Sequence, residues 1–298
     1  MSHIRTARRG SGRMLVLFAG PAVLIFLVFV VYPLVGTMAQ GFFSDRSGAT
    51  TFVGFANFVD VLTGDVQGPR FWNAFVNNIE FFLIHLVVEL PLALLYAALL
   101  TSGRVRRLVG VYRTLLFIPT TLSVVIVAYI WRMIINPLWG LVDFPLLADE
   151  STALPTVALM SVWQYVGIPM IFLYSALIAI PHELVEASRL DGAGAWRIFW
   201  SIKFPLIAPQ FGIISILTFI ATFNGFDIIY ASAGATAGPN YSTDILGTYF
   251  FRTYFGAGAS APDTYLGAAV AGLIFTILLI GTAIYFWFVQ RRLTTHEL

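Results

Sequence analysis

Long apolar runs alternate with short polar ones along this chain, and the alternation predicts transmembrane helices. The uncharged stretch from Met14 to Ser44 holds an apolar run over Leu15–Met38. That is enough to cross a bilayer core, which takes about 20 apolar residues in a helix. Similar runs over Asn73–Leu100, Leu115–Ile135, Thr156–Ile180, Phe204–Ala231 and Tyr265–Val289 predict five more spans. The expected fold is therefore all-α and polytopic, with six transmembrane helices. Residues 45–72 mix Asp45, Arg46, Asp60, Asp65 and Arg70 with glycine and aromatics, predicting an external segment with a short interfacial helix around Phe55–Leu62. Pro21 and Pro33 fall near the ends of the first span, where proline costs least. The organisation read from the pattern is a basic tail at 1–13, the first span and external segment at 14–72, a core at 73–292 with five spans and a polar loop at 181–205, and a short tail at 293–298.

Composition agrees with that reading. Of 298 residues, 58% are hydrophobic and 11% charged, where a soluble domain carries about 25% charge. The absence of cysteine excludes disulfides, thiolate metal sites and cysteine nucleophiles. A basic start followed by an apolar run also suits a secretory signal, but this run exceeds the 7–15 residues of a signal core and lacks a small-residue cleavage pattern. It reads as a retained first span.

The placement of Lys and Arg sets orientation. With the N-terminus inside, 13 of the 17 basic residues fall in inner segments and three, Arg46, Arg70 and Arg252, in outer ones, with Arg132 near the end of the third span. This positive-inside bias puts both termini and the 181–203 loop in the cytoplasm.

Enzyme chemistry has no residues to stand on. Lys203 is the only lysine, and no G-x-x-x-x-G-K-[ST] phosphate loop or G-x-S-x-G elbow exists. His182-Glu183 with Glu186 lacks the second histidine of a zinc helix, and no metal site is expected.

The loop from Pro181 to Pro209 is patterned. Pro181 suits a first helical position, Glu183 and Glu186 sit at the positive end of the helix dipole, and Leu184, Ala187 and Ser188 share a face. Asp191-Gly192 signals a turn. A second short amphipathic piece with Trp196, Phe199, Trp200 and Lys203 follows, stopped by Pro205.

This stretch resembles the cytoplasmic loop of membrane subunits of bacterial ABC importers. Their E-A-A-x-x-D-G-A signature stands here as Glu186-Ala187-Ser188-Arg189-Leu190-Asp191-Gly192-Ala193, followed by Phe199, Ile202, Phe204-Pro205 and Pro209. Ser188 for alanine and Phe204 for leucine are mild departures. Phe52 to Phe58, Arg70 to Phe75, Tyr112 to Pro119, Asn136-Pro137 with Gly140, and Phe226-Asp227 with Gly238-Pro239 look like the first permease subunit of maltose and glycerol-phosphate type importers. The long external insertion of some maltose permeases is absent. The resemblance implies a type I ABC importer permease fold in the bacterial inner membrane, with no cofactor of its own and no enzymatic role. It implies a second homologous permease, two ATPase subunits carrying ATP and Mg, an extracytoplasmic solute-binding protein and a sugar substrate, with no nucleic acid. The loop would dock on the ATPase: Ala187, Ser188, Gly192 and Ala193 admit its surface, Glu186 pairs with a basic residue, Asp191 turns the chain, and Phe199 and Trp196 fill apolar pockets.

The solute path is less legible. In the second span His85 and Glu89 share a face, with Glu80 opposite Glu89. A proton relay or ligand pair is one reading; a buried hydrogen-bonded packing pair is the favoured one. In the fifth span Thr218 and Thr222 share one face and Asn224 and Asp227 another. A straight helix cannot aim both at one cavity, so Gly225 is expected to mark a break that lines a solute site, with Asp227 structural or gating. Trp163, Gln164 and Tyr165, ahead of Gly167 and Pro169 at an expected kink, offer the aromatic faces and amide that a sugar wants. Thr120 and Thr121 are weaker candidates, since span threonines often bond back to their own helix. Gly267, Ala268, Ala271 and Gly272 form a small-residue packing strip. Two rivals stay open: an importer subunit for glycerol phosphate, a polyol or another solute, and a proton-coupled transporter acting through His85, Glu89 and Asp227.

Overall fold

The computed structural model describes residues 7–46, 48–103, 107–257 and 261–293. Arg5, Arg104, Arg106 and the tail from residue 294 lie outside them. Among the described residues, four helices are long and apolar enough to cross a membrane: Leu17–Gln40, Gln67–Thr101, Ala195–Phe223 and Thr264–Trp287. Two bent pairs, Val109–Thr121 with Val124–Ile134 and Glu150–Tyr165 with Gly167–Ile178, each qualify only when taken together. The chain thus has four to six candidate spans. The helix Ala56–Thr63 forms where a short one is expected, beside a two-residue ribbon pairing Phe43–Ser44 with Thr51–Phe52.

The first bent pair corrects the straight third span that hydropathy predicts, and the second carries the kink expected at Gly167 and Pro169. The third turns by 99° after Thr121. Its Ile118–Thr121 segment is a 3-10 turn containing Pro119, and Leu122 and Ser123 are then extended. The fourth bends by 47° around Val166, beside the Gly167 and Pro169 that signal a kink. Gly167 has a steric reason: a Cβ there would meet the Leu116 carbonyl oxygen at 2.5 Å, so glycine lets the two helices touch.

Three prolines within the continuous helices are accommodated by widened turns, while Pro21, Pro155 and Pro209 lie in regular helix. Pro33, Pro91 and Pro205 each follow a five-residue π-helical segment, Leu27–Val31, His85–Glu89 and Phe199–Lys203. In each, the residue before proline donates its N–H to the carbonyl five back: Tyr32 to Leu27, Leu90 to His85, Phe204 to Phe199. The wider turn relieves the clash between the proline ring and the carbonyl four back. Pro33 therefore lies inside a helix that runs on to Gln40, and Pro205 does not stop its helix at all.

Three apolar clusters hold the bundle. One joins Leu90, Ala93, Leu94 and Ala97 to Met170, Leu173 and Leu177 and to Ile207 and Ile214. A second gathers Phe81, Val127, Val157 and Ile229 around the bent pairs. The third packs Val61, Phe71 and Ala74 against Phe223, Tyr249, Leu266 and Ala269. Gly267 lies in the small-residue strip, where a Cβ would come within 2.7 Å of Tyr254 Cα.

At the end of the bundle carrying Gln67, polar side chains clamp the segment between Ala233 and Leu246. Asn73 Nδ2 donates to Tyr241 O at 2.9 Å, and Asn77 Nδ2 to Asp244 O at 2.9 Å. Asn78 reaches two elements: Nδ2 donates to Thr222 O at 3.0 Å, and Oδ1 accepts from Leu246 N–H at 2.9 Å. The Arg252 guanidinium, 2% exposed, pairs with Asp244 and lies 4.7 Å from the centre of the Tyr241 ring.

Two outcomes follow for the purified chain in detergent. Asn78→Ala leaves the Leu246 N–H buried and unpaired, which costs about 1–3 kcal/mol, read as a lowered thermal midpoint. Arg252→Met strands the buried Asp244 charge and costs about 3–5 kcal/mol, while Arg252→Met with Asp244→Asn recovers most of the loss. An unchanged midpoint in either single variant contradicts the clamp.

Candidate translocation cavity and coupling helix

The helix Ala195–Phe223 ends at Asn224, and a new helix starts at Asp227 and runs to Ala233. Between them Gly225 is packed closely: a Cβ would meet Thr222 O at 2.9 Å, and a Cβ on the facing Gly247 would meet Gly225 O at 2.3 Å. Two glycines let two backbones touch at the break. The Asn224 side chain closes the helix end, its Nδ2 donating to Ile220 O at 2.9 Å. The break turns the chain so that Thr218, Thr222, Asn224 and Asp227 all line one cavity of about 430 Å³. Sequence spacing puts these four on two faces of a straight helix; the interruption at Gly225 brings them together.

The rest of the wall is mostly apolar, with Phe81, Phe172, Ile214 and Phe226 beside the polar His85, Glu89, Ser161 and Tyr165. Apolar surface with a few converging polar groups is the usual make-up of a small-molecule site. Threonine hydroxyls are partly committed: Thr218 donates to Ile214 O at 3.0 Å and Thr222 to Thr218 O at 2.9 Å.

The remaining sequence candidates divide. His85 is buried, but its partners are Phe81 O at 2.8 Å and Ser161 Oγ at 3.0 Å, not Glu89. The expected His85–Glu89 hydrogen bond is replaced by one across to the helix Glu150–Tyr165. Gln164 is fully buried away from the cavity, with Nε2 donating to Leu122 O at 3.0 Å. It therefore serves the carbonyl exposed by the 99° bend. Trp163 faces outward and meets Trp131 edge-on at 5.7 Å. Thr120 bonds back to Phe117 O at 2.7 Å. Neither Trp163, Gln164 nor Thr120 lines the cavity, whereas Tyr165 does. Ser161 and Phe172 escaped the sequence reading; the only signal for Ser161 is its place one helical turn before Tyr165.

The second region of interest is the loop at the other end of the bundle. The helix His182–Leu190 forms as expected. It closes with Gly192 N–H bonded to Arg189 O and Ala193 N–H to Ser188 O, both at 3.0 Å. This is the Schellman pattern, which needs a left-handed residue, and Gly192 has φ +79°. A Cβ there would meet nothing, so glycine is required by conformation rather than by space. Glu186, Ala187 and Asp191 are exposed, Ser188 and Ala193 half-buried. The Ser188 hydroxyl donates to Leu184 O at 2.7 Å, so the serine that stands where the motif has alanine keeps its polar group within its own helix. Leu190 is 90% exposed and Trp196 77%. Phe199 instead packs inward against the Leu90–Leu177 cluster. A groove of about 250 Å³ lined by Ser188, Asp191, Ala193 and Arg197 separates the two helices. The second piece is not short: it starts at Ala195 and continues through the π turn for 29 residues to Phe223. Leu190 was missed as a surface candidate, although an apolar residue directly before Asp-Gly was the available sign.

Residues 89–294 match the family model described as binding-protein-dependent transport system inner membrane component. The chain is 32% identical to the probable ABC transporter permease protein YurN of Bacillus subtilis, over 80% of this chain and 84% of that one. It is 27% identical to the lactose transport system permease protein LacF of Rhizobium radiobacter. It is 30% identical to the sn-glycerol-3-phosphate transport system permease protein UgpA of Agrobacterium fabrum. Both of these matches cover 93% of this chain and 94% of the relative. In fold it is similar to a chain of a bacterial alginate ABC transporter crystallised with a pentasaccharide-bound periplasmic protein, at TM-score 0.78 and 21% identity, covering 96% of this chain and 97% of that one. On the family match and the YurN identity, the chain belongs to the family of binding-protein-dependent transport system inner membrane components.

Proposed function

We propose that this chain forms one half of the translocation path of an ATP-driven carbohydrate importer. It pairs there with a second, similar permease, two ATPase subunits that hold ATP and Mg, and an external solute-binding protein. The 181–203 loop and both termini face the cytoplasm, in keeping with the distribution of Lys and Arg. The lactose and arabinooligosaccharide names among the relatives support a carbohydrate, as does a cavity with aromatic walls and scattered hydroxyl and amide groups.

One observation carries the reading: the exposed helix His182–Leu190 is tied by a hydrogen-bonded turn to a helix that runs unbroken to the cavity. At 1.5 Å per residue that helix is about 43 Å long. Motion imposed on Leu190 is transmitted to Thr218 and Thr222 as rigid-body displacement. In this reading Leu190 is the apolar anchor on the ATPase, Glu186 its charged neighbour, and the small Ala187, Ser188, Gly192 and Ala193 let the partner surface come close. Phe199, turned inward, secures the lever to the bundle rather than filling an ATPase pocket.

Leu190→Glu is expected to weaken retention of the ATPase by about thirtyfold in pull-down of the co-expressed complex, as loss of a buried interface anchor does. Glu186→Ala and Gly192→Val should weaken it less. Because Leu190 is exposed, the thermal midpoint of the permease should not move. Undiminished ATPase retention by Leu190→Glu would refute the docking role.

A further inference from the structure

Among the described residues, the cavity wall holds one buried carboxyl that the protein itself leaves unused. Glu89 is 4% exposed, sits on the π turn His85–Glu89 and lines the cavity. No hydrogen bond or ion pair to its carboxyl forms among the described residues. Its neighbours are committed. The Phe81 carbonyl can only accept, so His85 Nδ1 donates to it, and the other ring nitrogen is taken by Ser161. Asn224 Nδ2 and the Thr218 and Thr222 hydroxyl hydrogens serve their own helix. The acids in the wall are Glu89 and Asp227, and among the described residues the wall contains no lysine or arginine.

A buried carboxyl with no partner in an apolar wall is satisfied by whatever enters the cavity. Hydroxyl groups suit it, because a carboxyl accepts from one hydroxyl and, when protonated, donates to another. A phosphate or carboxylate on the solute would enter a largely apolar wall that offers no cation to compensate its charge. We propose that Glu89 is the specificity-determining residue of the cavity, bonding the hydroxyls of a neutral polyhydroxylated solute in a wall that offers anionic solutes no cation. This rests on reading the cavity as the solute path.

The test uses the assembled transporter in detergent and dicyclohexylcarbodiimide, which modifies carboxyls in apolar surroundings, with labelling of the Glu89 peptide followed by mass. Lactose, maltotriose and glycerol form the neutral panel, and glycerol 3-phosphate and galacturonate the anionic one. The expected result is that at least one neutral solute slows labelling of Glu89 by about tenfold, the worth of about one hydrogen bond, while the anions do not. The neutral solute that protects most is then followed in proteoliposome uptake. Glu89→Ala should lower its uptake by about tenfold, and Glu89→Gln, which keeps shape and hydrogen bonding, should lower it less. Protection by the anions equal to that by the neutral panel, protection by neither, or full uptake by Glu89→Ala overturns the assignment. ATPase stimulation by the binding protein, measured on the same preparations, separates the two levels. Its absence refutes the importer reading, and its presence with any of the contrary results refutes Glu89 alone.

Discussion

A helix that breaks in an apolar medium must find partners for its freed backbone groups, and here Asn78 supplies them. One amide side chain bonds the Thr222 carbonyl on one side of the interruption and the Leu246 N–H, at the start of the helix that packs over it, on the other. The Leu246 N–H is one of the four donors that every helix start leaves open. With no water in the hydrocarbon core, such groups must be met from within the protein. Gln164 does the same for the Leu122 carbonyl at the 99° bend. The cavity between these two interruptions exists because buried amides on neighbouring helices make them affordable.

The three π turns solve the complementary problem. Pro33, Pro91 and Pro205 would each disrupt a helix that must stay continuous, and each follows a turn widened by one residue. The result is a division of mechanical roles along one chain. Ala195–Phe223 stays unbroken from the Schellman turn to the cavity, then yields at Asn224. Stiffness on the coupling side and interruption on the solute side are what a lever ending in a binding site requires.

Much of this was legible in the sequence, for physical reasons. The helix–glycine–helix loop was readable because Asp-Gly dictates a left-handed turn, and the Gly225 break because two polar pairs could not share one straight face. What escaped depended on long-range partners. Asn78 and Gln164 look like ordinary polar residues in a span until the carbonyls they serve are located. Proline was misread in two places because its effect depends on the turn ahead of it, which hydropathy does not register. Trp163 and Thr120 had suitable chemistry for a sugar, yet helix rotation carries one outward and leaves the other bonded to its own backbone.

The central claim is that the exposed loop and the cavity wall move as one body. The native chain contains no cysteine, so with cysteine-free partner subunits spin labels at Glu183→Cys and Ala221→Cys would be unique, and their separation can be measured by pulsed electron resonance in the assembled transporter with and without bound ATP. The account predicts one narrow distance distribution that stays in place when nucleotide binds. A shift or broadening of more than about 5 Å, roughly one helical turn, would show that the lever bends and would contradict it.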